Sequence, residues 1–456
     1  MENFIPHAQI QNLLDKKPAP ARVQEILQKS RHLERLSLDE VAELIAVTDP
    51  ELLQAIFEAA RDVKDSIYGS RLVLFAPLYI SNLCKNDCAY CAFRISNRNV
   101  KRRALTMDEI RTETEFLLKT GQKRVLLVSG EAYPHNGLEY VLDAIATVYA
   151  AKDGKNTIRR LNVNIAPLEV DDFRRLKEAQ IGTYQIFQEI YHEPTYRELH
   201  TTGPKANYLY RLYAIDRAFE GGLDDVGVGI LFGLYNYRYE VLALLSHIEH
   251  LEAIYGMGPH TISVPRLEPA EGAPLASRPP YPVSDTDFKK IIAVLRLAVP
   301  YTGIILSTRE TPEMRRAAFD LGVSQISAGS RTNPGGYSDE GACEQFSLGD
   351  HRSLDEVVRD ICEHGYLPSF CTSCYRLGRV GLDFMEYAKP GEIKEKCLPN
   401  ALFTFEEYLI DYASEETRAV GRALMERKLT EVPETIRREV NRTLAKIRAG
   451  ERDLFM

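Results

Sequence analysis

The pattern of apolar and polar positions changes near residue 70. Before that point, apolar residues recur at the three- and four-residue spacing of amphipathic helices. Ser37 stands three residues before Glu40 ahead of one such stretch, as in a capping box, and Gly69 is placed to end the last helix. The pattern therefore predicts an N-terminal helical segment over residues 1–70.

From residue 71 onward, short β-branched runs alternate with amphipathic stretches long enough for helices, which is typical of repeated strand–helix units. Eight such runs are present, at 71–80, 124–129, 161–166, 183–188, 226–232, 260–265, 303–307 and 323–328. Eight units favour a closed (β/α)8 TIM-type barrel over residues 71–344, with its active site at the carboxyl ends of the strands. An open, doubly wound sheet with the same repeat is the alternative.

Beyond residue 344 the strand–helix rhythm stops. A stretch that contains cysteine and proline leads there into a charged tail with helical spacing. We expect residues 345–456 to form a mainly helical C-terminal addition that carries an auxiliary cluster. The basic residues of the tail suit a solvated helix face at least as well as contact with a nucleic acid.

The composition of the chain argues against nucleic-acid and membrane partners and indicates the compartment in which we expect the protein. The net charge of −8 argues against a nucleic acid as the main partner, because phosphate neutralisation requires clustered Lys and Arg. No apolar run of about 18 residues is present, and the N-terminus has no signal-peptide pattern. We therefore expect a cytoplasmic protein with no membrane partner.

Eight cysteines in a cytoplasmic chain of this length do not indicate a disulfide framework. Six of them form two tight groups. The other two, Cys343 and Cys362, have no partner spacing, and free cysteine is among the most buried residue types. We interpret these two as structural core residues.

The first cysteine group consists of Cys84, Cys88 and Cys91, directly after the first predicted strand. Three thiolates can hold three irons of a [4Fe–4S] cluster and leave the fourth iron open. An open iron can chelate a molecule through an amine and a carboxylate, the terminal groups of S-adenosylmethionine (SAM). Zinc is the alternative, but no fourth Cys or His lies nearby in the sequence.

The second group consists of Cys371, Cys374 and Cys397, far from the first in the sequence. Three thiolates again suggest a cluster with an open iron. Zinc with a more distant fourth ligand, for which His364 is near enough, is the alternative.

The spacing Cys-x3-Cys-x-aromatic-Cys after the first strand of a βα barrel resembles the motif of the radical SAM superfamily. The stretch CTSCYRLGRVGLDFMEYAKPGEIKEKCLPNALFTFEEYLIDYA resembles the C-terminal cluster element of the HydG family, the tyrosine lyases that mature [FeFe]-hydrogenase. Segments such as FAPLYISNLC, FQEIYHEPTY and HTTGPKANYLYRL extend this resemblance through the chain. Most of them also resemble the wider aromatic amino-acid lyase group, which includes 2-iminoacetate synthase.

Several polar residues that follow predicted strands are candidates for SAM contacts. They are Gly130 and Glu131 after the second strand, Asn162, Asn164, Gln188 and Glu189 on or after the third and fourth strands, and Arg211 beyond them. Buried polar groups need partners, which a ligand or internal hydrogen bonds would supply. Gly130 and Glu131 resemble the family's element that meets the SAM amino group, and Tyr90 is the aromatic residue that would pack against adenine.

Three further roles follow from the resemblance. His260 corresponds to the family position that binds an additional iron beside the auxiliary cluster, although a histidine on an apolar strand is more often a core residue. Arg309 is placed to pair with the substrate carboxylate in a bidentate fork, and Ser307 to add a hydrogen bond. Two residues depart from the family pattern: Ala92, where glycine is expected, and Arg331.

The resemblance implies a function as well as a set of sites. It implies scission of the tyrosine Cα–Cβ bond to p-cresol and dehydroglycine, followed by formation of CO and cyanide at an auxiliary [4Fe–4S] cluster with an additional iron. The product would be an Fe(CO)2(CN) synthon. Implied partners are L-tyrosine, cysteine as an iron ligand, an electron donor and the hydrogenase maturation proteins. A 2-iminoacetate synthase of thiamine thiazole biosynthesis and a non-catalytic iron–sulfur or zinc scaffold are the alternatives.

Overall fold

The computed structural model describes residues 1–134, 136–338 and 344–456. Within these ranges, eight parallel strands form a closed barrel: β1 Arg71–Ser81, β2 Arg124–Ser129, β3 Arg160–Asn164, β4 Tyr184–Glu189, β5 Val226–Ile230, β6 Thr261–Ser263, β7 Gly303–Leu306 and β8 Val323–Ser327. The barrel closes where β8 pairs with β1, with Gln325 opposite Val73. Each strand begins within one residue of the start of a predicted apolar run. The prediction of a TIM-type barrel is therefore confirmed, and the alternative of an open sheet is wrong.

Four helices precede the barrel, as predicted: α1 His7–Leu13, α2 Pro20–Arg31, α3 Leu38–Ile45 and α4 Pro50–Ile67. The capping box forms at α3, since the Ser37 side chain accepts from Glu40 N and the Glu40 side chain accepts from Ser37 N. Gly69 follows α4 with φ of +61°, a conformation that glycine adopts without a Cβ penalty. Helices α3 and α4 pack against a barrel helix.

The helices of the barrel segment lie between and around its strands. They are α5 Met107–Lys119, α6 Leu138–Ala150, α7 Val170–Glu178, α8 Glu193–Leu199, α9 Tyr208–Leu212, α10 Ala214–Glu220, α11 Tyr237–Tyr255, α12 Pro274–Ser277, α13 Asp285–Ala298 and α14 Pro312–Phe319. A short 3-10 helix, Pro204–Ala206, and a small hairpin of Lys152–Asp153 with Asn156–Thr157 complete this part. The long connection from β1 to α5 carries the first cysteine group.

The C-terminal addition is mainly helical, as predicted. Its elements are α15 Leu354–Glu363, β9 Leu367–Ser369, α16 Ser373–Arg376, α17 Gly381–Ala388, α18 Ile393–Asp411, α19 Glu415–Thr430 and α20 Glu434–Arg448. Strand β9 pairs with the first residues of β1, with Leu367 opposite Arg71. Because Cys371 follows β9 directly, the second cysteine group lies at the amino end of the barrel, opposite the first. Of the helices described, none is long and apolar enough to cross a membrane.

Alternate residues of β1 face two separate cavities inside the barrel. Arg71 and Val73 line a cavity at the amino end, whereas Phe75, Pro77 and Tyr79 line a larger one at the carboxyl end. The two-residue period of a strand turns all five side chains into the barrel, and their position along β1 decides which cavity each one lines. The barrel therefore presents one cavity to each cysteine group.

Glycines on two strands make room for large polar side chains in the barrel interior. A Cβ on Gly227 would lie 2.9 Å from Gln185 Cγ, and a Cβ on Gly303 would lie 2.7 Å from Gln325 Nε2. Both separations are too short for a real contact. Glycine at these strand positions is thus explained by close side-chain approach.

Candidate active sites at the two ends of the barrel

The loop after β1 carries three cysteines into the cavity at the carboxyl end. Cys84, Cys88 and Cys91 all line this cavity, whose volume is about 190 Å³. Ala89 N donates to Leu199 O at 3.0 Å, which ties the loop to α8, and Cys91 N donates to Cys88 O at 3.2 Å, which forms a turn within the loop. A rigid loop is suited to present several thiolates to one cluster.

The three thiols are neutral in their present surroundings. Burial raises the pKa of Cys84 and Cys88 and raises that of Cys91 to about 11. Iron binds the thiolate, so loading a cluster here must release protons. Gln345 Nε2 lies 3.7 Å from Cys91 Sγ and is positioned to donate to a thiolate at that position.

Neither cysteine group is arranged as a cage for one ion. Within the described ranges, no group of three or more His, Cys, Asp or Glu side chains is close enough to hold a single metal ion. A tetrahedral zinc site needs its ligands around one point, whereas a cubane cluster holds its thiolates farther apart. Three thiols on one loop, with no fourth Cys or His beside them in the sequence, are the donor set of a cluster with one open iron.

Gly130 lies at the carboxyl end of β2 in tight contact with the cysteine loop. Its backbone N donates to Ser81 O at 2.8 Å, and a Cβ at this position would lie 2.3 Å from Leu83 O. Only glycine fits such an approach between two backbones. Leu83 directly precedes Cys84, so the contact fixes the start of the cysteine loop.

We expect Gly130→Ala to destabilise the fold by about 1–3 kcal/mol, because the added methyl group must push the cysteine loop away. The amount of iron bound after reconstitution should fall together with the stability of the fold. Urea denaturation and iron analysis measure both effects. Gly154→Ala is the matched control, since a Cβ at that position meets nothing within 4 Å, although φ is +58°. Equal loss of iron in both variants would contradict the role of Gly130 in fixing the cysteine loop.

Glu131 lies in a charged network beside the first cysteine group. It accepts from Asn86 Nδ2 at 2.7 Å and from Arg211 Nη1 at 2.8 Å. Burial favours the neutral acid, but the neighbouring Arg211 and Lys205 more than offset it and hold the pKa of Glu131 below its ordinary value. The carboxylate is therefore charged, as contact with an ammonium group requires.

A second ion pair completes this network. Lys205 Nζ donates to Glu189 Oε1 at 2.7 Å, and Arg211 Nε donates to Phe187 O at 2.6 Å. Glu189 has φ of +68°, which is rare outside glycine and marks a constrained position at the end of β4. Lys205 and Asn86 were missed in the sequence, although Lys205 lies within the segment HTTGPKANYLYRL.

The polar residues predicted near the cavity divide into two groups. Asn164, Glu189 and Arg211 line it. Asn162 instead accepts from Arg160 Nε at 2.8 Å, and Gln188 Nε2 reaches Ile190 O at 3.4 Å. The internal alternative therefore accounts for the latter two. Asn164, Glu189 and Arg211 face the cavity, although Glu189 is also paired with Lys205 and Arg211 with Glu131.

Tyr90 also lines the cavity, with a hydrogen bond that fixes its ring. Its hydroxyl lies 2.8 Å from His200 Nε2, and the two rings meet edge to face. The side chain is buried at 7% exposure. A fixed ring at this position is available for stacking against a planar ligand.

The opposite side of the same cavity combines a cation with an aromatic wall. Arg309 and Ser307 both line it, and Arg309 stacks over Phe346 at 3.3 Å from the ring centroid. Phe75, Tyr79 and Phe93 belong to one apolar cluster that faces the cavity. A guanidinium group beside aromatic rings suits an aromatic amino acid, whose carboxylate and ring need opposite surroundings.

The two departures from the family pattern lie at the edge of this site. Ala92 is fully buried in the apolar cluster with Phe93, and its carbonyl accepts from Asn97 Nδ2 at 2.9 Å. Arg331 Nη1 donates to Ser330 O at 3.1 Å. Both flanking residues of Arg331, Ser330 and Thr332, line the cavity.

The second cysteine group meets His260 in the cavity at the amino end. Cys371, Cys374, Cys397 and His260 all line it. Burial raises the pKa of Cys374 and raises that of Cys397 to about 12. The structure thus brings together the four side chains that the sequence assigned to one metal site.

A buried carboxylate orients His260. Its Nδ1 lies 2.8 Å from Asp225 Oδ2, and its ring stacks on Phe384 at 4.1 Å. Bonding at Nδ1 leaves Nε2 as the nitrogen for a metal, the usual arrangement of a metal-binding histidine with a carboxylate behind it. His364 is held elsewhere, by Asp360 at the end of α15, and does not line the cavity, so the zinc alternative has no support from it.

Three arginines at the amino end were not expected as site residues. Arg71, Arg124 and Arg160 line the second cavity. Each is the first residue of one of the three initial barrel strands, so the barrel places all three at its amino end. The sequence did contain a signal for these arginines, because an arginine stands at or directly before the start of each of the first three apolar runs. Asp225, directly before β5, and Tyr375, on the short helix α16, were missed as well.

The remaining cysteines lie apart from both sites or outside the described residues. Cys362 is fully buried in the hydrophobic core on α15, which confirms its interpretation as a core residue. Cys343 lies outside the described residues.

Comparison with known proteins places these sites in a family. Residues 78–246 match the model of the radical SAM superfamily, and residues 263–367 match the biotin and thiamin synthesis associated domain. The 2-iminoacetate synthase of Salmonella typhimurium is 31% identical over 344 residues, which are 75% of this chain and 89% of that protein.

Solved structures extend the similarity over the full length. The crystal structure of HydG, described as a maturase of the [FeFe]-hydrogenase, superposes with a TM-score of 0.97 at 49% identity and covers 100% of both chains. The FeFe-hydrogenase maturase HydG from Carboxydothermus hydrogenoformans superposes with a TM-score of 0.82 at 44% identity, over 93% of this chain and 94% of that one.

Proposed function

This chain belongs to the radical SAM family of the HydG maturases, and on that premise we propose that it is a tyrosine lyase of [FeFe]-hydrogenase maturation. It cleaves the Cα–Cβ bond of L-tyrosine to p-cresol and dehydroglycine, and converts dehydroglycine to CO and cyanide. The observation that carries the proposal is the presence of two three-cysteine sites at opposite ends of one barrel, one of them beside a cavity suited to an aromatic amino acid.

In this proposal, the first cavity holds SAM and tyrosine together. Cys84, Cys88 and Cys91 would hold a [4Fe–4S] cluster, which would supply one-electron chemistry for the cleavage of SAM. On the chain's side, Glu131 receives the SAM ammonium group, with Gly130 bringing the backbone close. Because Arg211 and Lys205 keep Glu131 ionised, this contact needs no proton transfer.

The other residues of the first cavity position the two molecules. Tyr90 packs against adenine, and Asn164 and Glu189 bond the ribose. Arg309 binds the tyrosine carboxylate and Ser307 adds a hydrogen bond, while the aromatic wall receives the phenol ring. Positioning of this kind matters because the radical must meet one hydrogen of the substrate within van der Waals distance.

The second cavity is proposed to complete the conversion. Cys371, Cys374 and Cys397 would hold the auxiliary [4Fe–4S] cluster, and His260 would bind an additional iron, for which cysteine would be a further ligand. Dehydroglycine contains the atoms of one CO, one HCN and one water, so its breakdown requires no oxidant or reductant. The iron product, an Fe(CO)2(CN) synthon, is cargo for other maturation proteins.

The proposed function is accompanied by proposals on the domain boundaries, the cellular location and the protein partners. We propose three domains: the helical segment 1–70, the radical SAM barrel 71–344 and the auxiliary-cluster domain 345–456. The enzyme would work in the cytoplasm with an electron donor and the hydrogenase maturation proteins. The acidic net charge speaks against a nucleic-acid partner.

The runner-up is a 2-iminoacetate synthase, which would release dehydroglycine for thiazole synthesis. The 31% identity to the enzyme of that name favours it. The second cavity, with three cysteines and an oriented histidine, favours the maturase. A non-catalytic scaffold has no use for the substrate-sized cavity at the first cluster.

The test is anaerobic reconstitution with iron and sulfide, followed by reaction with SAM, dithionite and L-tyrosine while p-cresol and CO are measured together. We expect both products. p-Cresol without CO would point to 2-iminoacetate synthase, and SAM cleavage without p-cresol would mean that tyrosine is not the substrate. Failure to cleave SAM would point to the scaffold.

A further inference from the structure

The segment that carries the first cysteine group is strongly basic. Residues 82–104, which we call the basic loop, contain six Lys or Arg residues and one acidic residue, whereas the whole chain has a net charge of −8. The six are Lys85, Arg94, Arg98, Lys101, Arg102 and Arg103. Positive charge concentrated at one place on an otherwise acidic protein attracts a negatively charged partner to that place.

Three of the six cations stabilise the loop itself. Arg94 Nε pairs with Asp87 Oδ1 at 2.6 Å, and Arg103 Nη2 pairs with Glu109 Oε1 at 2.6 Å. Arg102 donates to four backbone carbonyls on both sides of the three cysteines. They belong to Asn82, Phe93, Arg94 and Asn97. The basic loop is therefore held in one shape before any partner binds.

The other three cations are exposed to solvent. Within the described ranges, the side chains of Lys85, Arg98 and Lys101 take part in no hydrogen bond or ion pair. The exposed Glu271, whose carbonyl accepts from Asn97 Nδ2 at 2.8 Å, offsets one of these charges. The surface of the basic loop thus keeps an excess of positive charge.

This surface lies directly outside the first cavity. Cys84 lines the cavity, whereas Lys85, the next residue, is exposed, so only the thickness of the loop separates the cavity from solvent here. Ile95 N donates to Asn86 O at 2.9 Å, which brings Ile95 beside Lys85, and the Ile95 side chain is 53% exposed. A protein interface combines apolar contact with a polar rim, and this surface offers both.

We propose that Lys85, Ile95, Arg98 and Lys101 form a docking surface for a small acidic electron-transfer protein that reduces the first cluster. The proposal deepens the proposed function and rests on it for the presence of that cluster. The carrier protein loses one electron and the cluster gains it, so no atom is transferred. Complexes of electron-transfer proteins bury little surface and form through charge complementarity, which a small cationic patch with one apolar residue provides.

The test compares a protein donor with a small donor. Anaerobically reconstituted holoenzyme is given SAM and either dithionite or flavodoxin, an acidic carrier, reduced to its hydroquinone, and release of 5′-deoxyadenosine is measured. In the double variant Arg98→Glu/Lys101→Glu, we expect the rate with limiting flavodoxin to fall at least about tenfold, because attraction becomes repulsion. The rate with saturating dithionite should not change.

Binding is measured apart from catalysis. The Kd of oxidised flavodoxin, measured by isothermal titration calorimetry at low salt, should rise in the same double variant by at least about tenfold. At about 0.5 M salt, the wild type and the variant should bind equally weakly, because exposed charges are then screened.

The matched control is Arg427→Glu/Arg438→Glu, which makes the same change in net charge at exposed positions on α19 and α20. It should change the rate with flavodoxin by less than about twofold, since charges far from the docking surface are screened. If Arg98→Glu/Lys101→Glu does not load iron, Arg98→Gln/Lys101→Gln decides, with a smaller loss expected in the same direction.

Four results would overturn the docking surface. They are an unchanged rate and Kd with flavodoxin in Arg98→Glu/Lys101→Glu, an equal loss in the control variant, an equal loss with dithionite, and salt-sensitive binding of transfer RNA without binding of flavodoxin. An equal loss with dithionite would mean that the cations act on the cluster itself. Wild-type enzyme that binds flavodoxin through this surface but cleaves no SAM with dithionite would instead overturn the proposed function and leave the docking surface standing.

Discussion

Cys88→Ala is expected to reduce cleavage of SAM and formation of p-cresol to background. Cys88 is 5% exposed and lies where the loop after β1 pairs with His200, so its backbone position is fixed. Two thiolates are insufficient to hold the cluster at this end of the barrel. Release of 5′-deoxyadenosine and of p-cresol under reducing conditions measures the loss.

The matched control is Cys362→Ala, which removes a buried thiol from the core on α15 and leaves both cysteine groups intact. It should lower stability by about 1 kcal/mol and leave both products at wild-type levels. Cleavage of SAM by the Cys88 variant at an appreciable rate would contradict the assignment of the first cluster.

Cys374→Ala is expected to separate the two halves of the reaction. Formation of CO and cyanide should fall to background, because the thiolate lost is one of three at the amino end of the barrel. p-Cresol should persist, since the first cavity lies at the opposite end and shares no lining residue with the second. Measurement of p-cresol, CO and cyanide in one reaction gives the ratio of CO and cyanide to p-cresol directly.

Cys362→Ala again serves as the control for loss of a buried thiol. Retention of CO formation in Cys374→Ala would show that dehydroglycine breaks down without the second cluster. Equal loss of p-cresol and CO would show instead that the C-terminal addition supports the barrel as a whole, and an intact EPR signal of the first cluster excludes that explanation.

Local patterns were sufficient for most of the fold. Runs such as 124–129 and 323–328 became β2 and β8 because β-branched residues suit a strand buried on both faces. Ser37 and Glu40 formed the capping box that their spacing predicts. The short strand β9 was not predicted, because three residues carry too little periodicity and its pairing partner, β1, is almost three hundred residues away.

The candidate sites were less evident than the fold. The cysteines were visible as close groups, and His260 was assigned through the resemblance, which the shared cavity with Cys371 supports. Lys205 and Asp225 were missed because a single charged residue between predicted elements carries no signal until its partners are known. For Asn162 a ligand contact and internal bonding were both open, and the fold supplies internal partners, Arg160 Nε on its own strand and Thr183 N before β4.

The sequence by itself determined the number of barrel strands, the helices before and after them, and the two groups of thiols, because each depends on residues close together in the chain. Tertiary structure decided which end of the barrel each group occupies, since that depends on the pairing of β9 with β1. It also decided the charge of the two cavities. Arg71, Arg124 and Arg160 stand on three different strands, and only closure of the barrel turns them toward one point beside Cys371.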